Sequence, residues 1–111
     1  MEQTAARVVF TTVSGAEEAE RLVRTLLERR LIACGTILPP ARSLYRWNDA
    51  IADEAEVVVL MKTAADRLDA LEAAFEELHS YKVPELLAIP VAAGLSKYID
   101  WIEAETATTT T

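Results

Sequence analysis

Residues 32–63, IACGTILPPARSLYRWNDAIADEAEVVVLMKT, decide the fold. The first half is interrupted by Pro39-Pro40, and neither proline has an N–H to give a neighbouring strand. The spacing predicts one long strand from Ile32 to Trp47, broken at the prolines and lying at a sheet edge. Beyond the break Ala41, Ser43, Tyr45 and Trp47 share one face, while Arg42, Leu44 and Arg46 share the other. Asn48-Asp49 supplies a turn, so a hairpin follows. The return strand, about Ile51 to Thr63, carries the unbroken run Val57-Val58-Val59-Leu60-Met61, which implies burial on both faces and a central position.

Upstream, Arg7 to Val13 is rich in β-branched residues and stops at Ser14-Gly15, which predicts a first strand. Ser14 with Glu17 has capping-box spacing, a reading preferred over an anion site at this loop. Ala19, Leu22, Val23, Leu26 and Leu27 recur at helical spacing, with Glu17/Arg21 and Glu20/Arg24 paired on the other face, so a helix is expected to end near Arg30.

Downstream, Thr63 and Asp66 repeat the capping pattern, and Leu68, Leu71, Phe75 and Leu78 mark a second helix ending about His79. Leu86 to Val91 reads as a short edge strand because it carries Pro90. Leu95, Tyr98, Ile99 and Ile102 outline a brief third helix. The order predicts an α+β fold, a ferredoxin-like βαββαβ sandwich with a short C-terminal helix. Its first and third strands are central, and all three edge prolines fall outside them. One domain over residues 7–105 is expected, between a flexible stretch 1–6 and a disordered Thr-rich tail 106–111.

Composition narrows the function. The formal charge of −7 disfavours nucleic acid and anionic membrane surfaces, and favours cations or basic partners. No apolar run approaches the roughly 20 residues of a membrane span. Met1 to Ala6 lacks a secretory pattern, and the single cysteine, Cys34, fits a reducing compartment. A cytoplasmic location is expected.

With these elements in place, several segments resemble the CutA divalent-cation tolerance family. They are Leu31-Ile32-Ala33-Cys34, Ser43-Leu44-Tyr45-Arg46-Trp47, Glu56 to Thr63, Leu78 to Leu86 (LHSYKVPEL), Ile89-Pro90-Val91 with Gly94, and Tyr98-Ile99-Asp100-Trp101. The resemblance covers about residues 7 to 104 with matching order. It implies a homotrimer related in architecture to the PII signalling proteins, a link to tolerance of copper and other divalent metals, and no established reaction. Three departures stand out: Ser80 where a proline usually precedes the tyrosine, Asp49-Ala50 in place of a Gly-containing turn, and Thr11-Thr12 without the cysteine of some members. The last removes any thiol-based copper site that depends on that cysteine.

The candidate metal ligands are His79, Glu85 and Cys34, with Cu(II), Zn(II) or another divalent cation as the ion. Cys34 also reads as a buried core thiol, and His79 as a loop anchor. Lys62, Tyr81 and Glu85 are grouped as a polar ligand cleft, on the expectation that the end of the central strand lies near the loop after the second helix; a plain Lys–Glu ion pair is the simpler account. Tyr45, Trp47 and Trp101 are expected to pack, and as their special role to anchor a trimer interface. Three function classes follow: a trimeric binding or signalling protein in the response to divalent metals, a PII-like small-metabolite sensor, and a hydrolase or transferase using His79, Tyr81 and Glu85. The last ranks lowest, since no complete catalytic set is present.

Overall fold

In the computed structural model, which describes residues 3–108, β1 (Ala6–Val13) and β4 (Ala50–Ala64) pair antiparallel from Ala6↔Ala64 to Val13↔Val57. They form the centre of one five-stranded sheet. β5 (Leu87–Pro90) lies beside β1, while β2 (Cys34–Ile37) and β3 (Ala41–Trp47) follow one another along the far side of β4. The proline-bearing segments are therefore the edges and the proline-free runs the centre, as the missing N–H groups dictate. The expectations of a flexible start and a disordered tail lie, for residues 1, 2 and 109–111, outside the described residues.

The ladder counts differ on the two sides of Pro39-Pro40. From Ile37 to Ala41 is four steps, but their partners Val59 and Glu56 are three apart. This one-residue excess is a bulge, and it reverses which alternate residues of the edge share a face with β4. Cys34 and Thr36 before it, and Ser43, Tyr45 and Trp47 after it, all lie on the face of Lys62, Leu60, Val58, Glu56 and Glu54.

The opposite face is covered by α1 (Ala16–Glu28) and α2 (Leu68–Leu78). Val9, Val13, Val57, Val59 and Met61 meet Leu22, Val23, Leu26, Leu71 and Phe75 in one buried cluster. Each large side chain buried there contributes roughly 1.5–3 kcal/mol of transfer free energy. Where α1 crosses β2, a Cβ on Gly35 would stand 2.8 Å from both methyl groups of Val23, so only glycine permits this approach.

α1 ends earlier than its periodicity predicts. Arg30 has φ 57, Leu31 N–H donates to Leu26 O at 2.9 Å and Arg30 N–H to Leu27 O at 3.0 Å, the paired bonds of a Schellman stop. Neither predicted capping box forms. The Ser14 hydroxyl donates to Glu18 rather than Glu17, at 2.6 Å. Thr63 stays inside β4 and donates to Leu31 O at 2.7 Å, and a 3-10 turn at Ala65–Arg67 precedes α2.

α3 (Ser96–Thr106) packs Ile102 against Ala6 and Ala33 on the second face of the sheet, at one end only. The first strand and the last helix each reach one residue beyond the expected ends of the domain. Ala6 opens β1, and Thr106 is buried in α3 with its hydroxyl on Ile102 O at 2.8 Å, so it belongs to the helix rather than a tail. The rest of this second face keeps Val8, Phe10 and Leu60 half-buried and leaves Leu87 and Ile89 exposed. No helix among the described residues is long and apolar enough to cross a membrane.

Candidate functional site

The hairpin turn places the first wall of a cavity. Asn48 and Asp49 both have positive φ, 51 and 60, the two-residue geometry that matches strand twist, and it sets Trp47 opposite Ala50 and Tyr45 opposite Ala52. The bulge then aims Ser43, Tyr45 and Trp47 to the side of Glu54 and Glu56. The second wall is the segment Tyr81 to Glu85, which follows α2 and is tied to Thr12, near the end of β1, through His79. Between them lies a cavity of about 650 Å³, lined by Tyr45, Trp47, Glu54, Glu56, Tyr81 and Glu85 among others.

His79 holds the second wall in place from behind. It is 8% exposed, its Nε2 lies 3.0 Å from Thr12 O, and the backbone N–H of Tyr81 donates to its Nδ1 at 3.1 Å. A carbonyl accepts and an amide donates, so the ring is the neutral Nε2–H tautomer; Thr11 Oγ1 sits 3.2 Å from the same Nε2. Tyr81, so placed, donates its hydroxyl to Glu56 Oε2 at 2.6 Å. Burial first, then that bond and the charges of Glu56 and Glu18, raises the Tyr81 phenol well above its ordinary range. Burial, with the charges of Glu54 and Glu56, raises Tyr45 in the same sense.

The predicted site residues divide into two groups. Tyr45, Trp47, Tyr81 and Glu85 line the cavity, and His79 supports it. Lys62 does not join them. Its Nζ lies 5.7 Å above the Tyr98 ring, Cys34 Sγ is 4.0 Å from Tyr98 Oη, and Trp101 stacks on Tyr98 with centroids 5.6 Å apart. Hydrogen bonding to Tyr98 raises the Lys62 pKa. The expected Lys62–Tyr81–Glu85 cleft fails because α2, about 16 Å long at 1.5 Å per residue, returns the chain to the opposite end of the sheet before Tyr81.

The metal set is not assembled either. Cys34 lies on the second face opposite Lys62, while His79 stands behind Thr11 and Thr12 with both ring nitrogens bonded. Among the described residues no three His, Cys, Asp or Glu side chains converge on a common point. The donors present in one chain therefore do not make a resident metal site. Glu54, Glu56 and Tyr98 were missed in the sequence. The i, i+2 spacing of Glu54 and Glu56 was the available signal, since it puts two carboxylates on one face just before a buried run.

The CutA1 divalent ion tolerance protein profile matches residues 7–105. A divalent-cation tolerance protein CutA from Thermus thermophilus is 37% identical over 99 residues, covering 89% of this chain and 96% of that protein. Its counterpart from Pectobacterium atrosepticum is 41% identical over 97 residues, 87% of this chain and 88% of that one. The crystal structure of CutA from Xylella fastidiosa superposes with a TM-score of 0.90 at 36% identity, over 94% of this chain and 100% of that one. On this sequence and fold evidence together, the chain belongs to the CutA1 divalent ion tolerance protein family.

Proposed function

We propose that the protein acts as a cytoplasmic homotrimer in the tolerance of divalent metal ions, copper(II) among them, by binding and relaying rather than by catalysis. The second sheet face carries this reading. Val8, Phe10, Leu60, Leu87 and Ile89 form an apolar surface that no helix among the described residues covers beyond the reach of α3, and among those residues the short edge strand β5 pairs on one side only, with β1. Three copies packed around this face bury it and close the edges. Trp47 and Trp101, 46% and 40% exposed, serve with Tyr45 as anchors to neighbouring chains.

Family membership supports the link to divalent cations, and the charge of −7 supports their accumulation near the surface. Copper(II) contact falls to accessible carboxylates such as Glu85, because His79 has no free nitrogen and Cys34 sits beside the Lys62 ammonium. Such binding is weak. Light scattering on a size-exclusion column is expected to give three times the subunit mass, and Trp47→Ala to lower it. A monomer at micromolar concentration removes the trimer reading. Calorimetry with copper(II) is expected to show weak binding that His79→Ala leaves unchanged; loss of binding in that variant restores the histidine as a ligand.

A further inference from the structure

We propose that His79 is a pH-sensitive latch: a proton on its Nδ1 frees segment 80–86 from the end of the sheet and opens the wall of the cavity. The neutral ring is engaged at both nitrogens. Its Nε2–H donates to Thr12 O at 3.0 Å, and its Nδ1 accepts the Tyr81 amide at 3.1 Å. A protonated ring has two N–H groups and no acceptor, so its Nδ1–H faces the Tyr81 N–H and that bond is lost. The bond to Thr12 survives.

Nothing around the ring compensates an imidazolium. It is 8% exposed, and among the described residues no carboxylate oxygen lies within 4.0 Å of either nitrogen. From β1 it meets Thr11 and Thr12, and from α2 the Phe75 ring at 5.7 Å between centroids, all uncharged. Glu56 of β4 reaches it only through Tyr81, whose ring lies 4.9 Å away and whose hydroxyl donates to Glu56. Glu18 of α1 is turned to Ser14, accepting its hydroxyl at 2.6 Å. Burial opposes the charge of Glu18, but hydrogen bonds from Ser14 and Ser80 lower its pKa, so it stays ionised where histidine titrates. Lys82 and Glu85, the charged residues of the segment itself, line the cavity. A buried cation without a partner is costly, and the strain is relieved where the chain yields most easily.

That place is the segment. Among the described residues, 80–86 make no backbone–backbone hydrogen bond, whereas β1 is paired on both sides, with β4 and with β5. The Tyr81 amide on Nδ1 and the Tyr81 hydroxyl on Glu56 Oε2 tie the segment to the sheet, so loss of the first loosens the second. A stretch without ladder bonds opens locally at lower free energy than the strands beside it. Opening carries Tyr81 away from Glu56 and moves one wall of the cavity while the sheet stays paired. The closed form holds fewer protons than the open one, so acidification favours opening.

The test is amide hydrogen exchange followed by NMR on the full chain at about pH 7.5 and about pH 5.5, either side of the range in which histidine changes charge. The protection factor of the Tyr81 amide, corrected for the intrinsic rate at each pH, is expected to fall about tenfold or more, the effect of one lost hydrogen bond, while the amides of β1 and β4 keep theirs. The ring-nitrogen shifts of His79 are expected to change at the same midpoint. His79→Asn, whose side-chain oxygen takes the place of Nδ1 and does not titrate, is expected to abolish the pH dependence, and Glu18→Gln to preserve it. If His79→Asn fails to fold, the coincidence of the two midpoints in the unsubstituted chain decides. Unchanged Tyr81 protection, a fall shared equally by β1 and β4, or a Tyr81 midpoint apart from that of the ring overturns the proposal. So does a pH response that His79→Asn retains or Glu18→Gln loses.

Discussion

The amide of Tyr81 donates to Nδ1 of His79 at 3.1 Å, so the one histidine of the chain sets the path of the segment that walls the cavity. The far side of the ring reaches Thr12 O at 3.0 Å, and the imidazole thus bridges β1 to the segment after α2. His79→Ala leaves a carbonyl and an amide without partners, and a loss of about 2 kcal/mol or more is expected in urea unfolding. Long-range nitrogen–proton NMR spectra should show the neutral Nε2–H ring. A dominant Nδ1–H tautomer contradicts the geometry.

Tyr81 should ionise above the ordinary tyrosine range. Its folded pKa is raised above the ordinary 10.0 by burial first and then by Glu56. A group raised on folding contributes stability that is complete below its unfolded value and is lost as pH rises through the folded one. Ultraviolet titration is expected to show at least one phenol resisting ionisation beyond pH 10.0, with Glu56→Gln moving it part of the way down, since burial remains. Simultaneous ionisation of all tyrosines at the ordinary value rules this out.

Gly35→Ala should destabilise the protein by about 1–3 kcal/mol, because the new methyl meets Val23, whose branched side chain cannot swing aside. Adding Val23→Ala removes the clash. The double variant is expected to lose less than the two single losses combined, measured by thermal and urea unfolding. Strict additivity indicates that α1 has shifted instead.

Asp49→Gly is expected to stabilise by about 0.5–1 kcal/mol. Asp49 holds φ 60, a conformation that glycine adopts without the Cβ penalty, and Asn-Gly is the favoured pair for this turn. A lower melting temperature in the variant shows that the Asp49 side chain contributes more than its backbone strain costs.

Element type and order were legible because they depend on local pattern. The run Val57 to Met61 marked a central strand, and Pro39, Pro40 and Pro90 marked the edges. Helix starts were misread, since Ser14 and Thr63 each had a competing partner, Glu18 one residue further on and the carbonyl of Leu31 across the sheet. The cavity was half legible. Tyr45, Trp47, Tyr81 and Glu85 were singled out separately, but which end of the sheet each reached depends on the direction in which α2 returns the chain. That geometry separated Lys62 from Tyr81 and brought in Glu56, whose role cannot be inferred from a strand pattern that reads as solvated.

The one-residue excess at Pro39-Pro40 is absorbed between Ile37 and Ala41, while the pairing of β3 with β4 fixes which side chains face the cavity. Deleting Pro40 leaves three steps on the edge against three on β4, so Ile37 still meets Val59, Ala41 still meets Glu56, and Tyr45 and Trp47 keep their face. Only the local bend of the bulge is lost. The extra residue therefore sets the angle of the arm, and the turn at Asn48-Asp49 sets its chemistry.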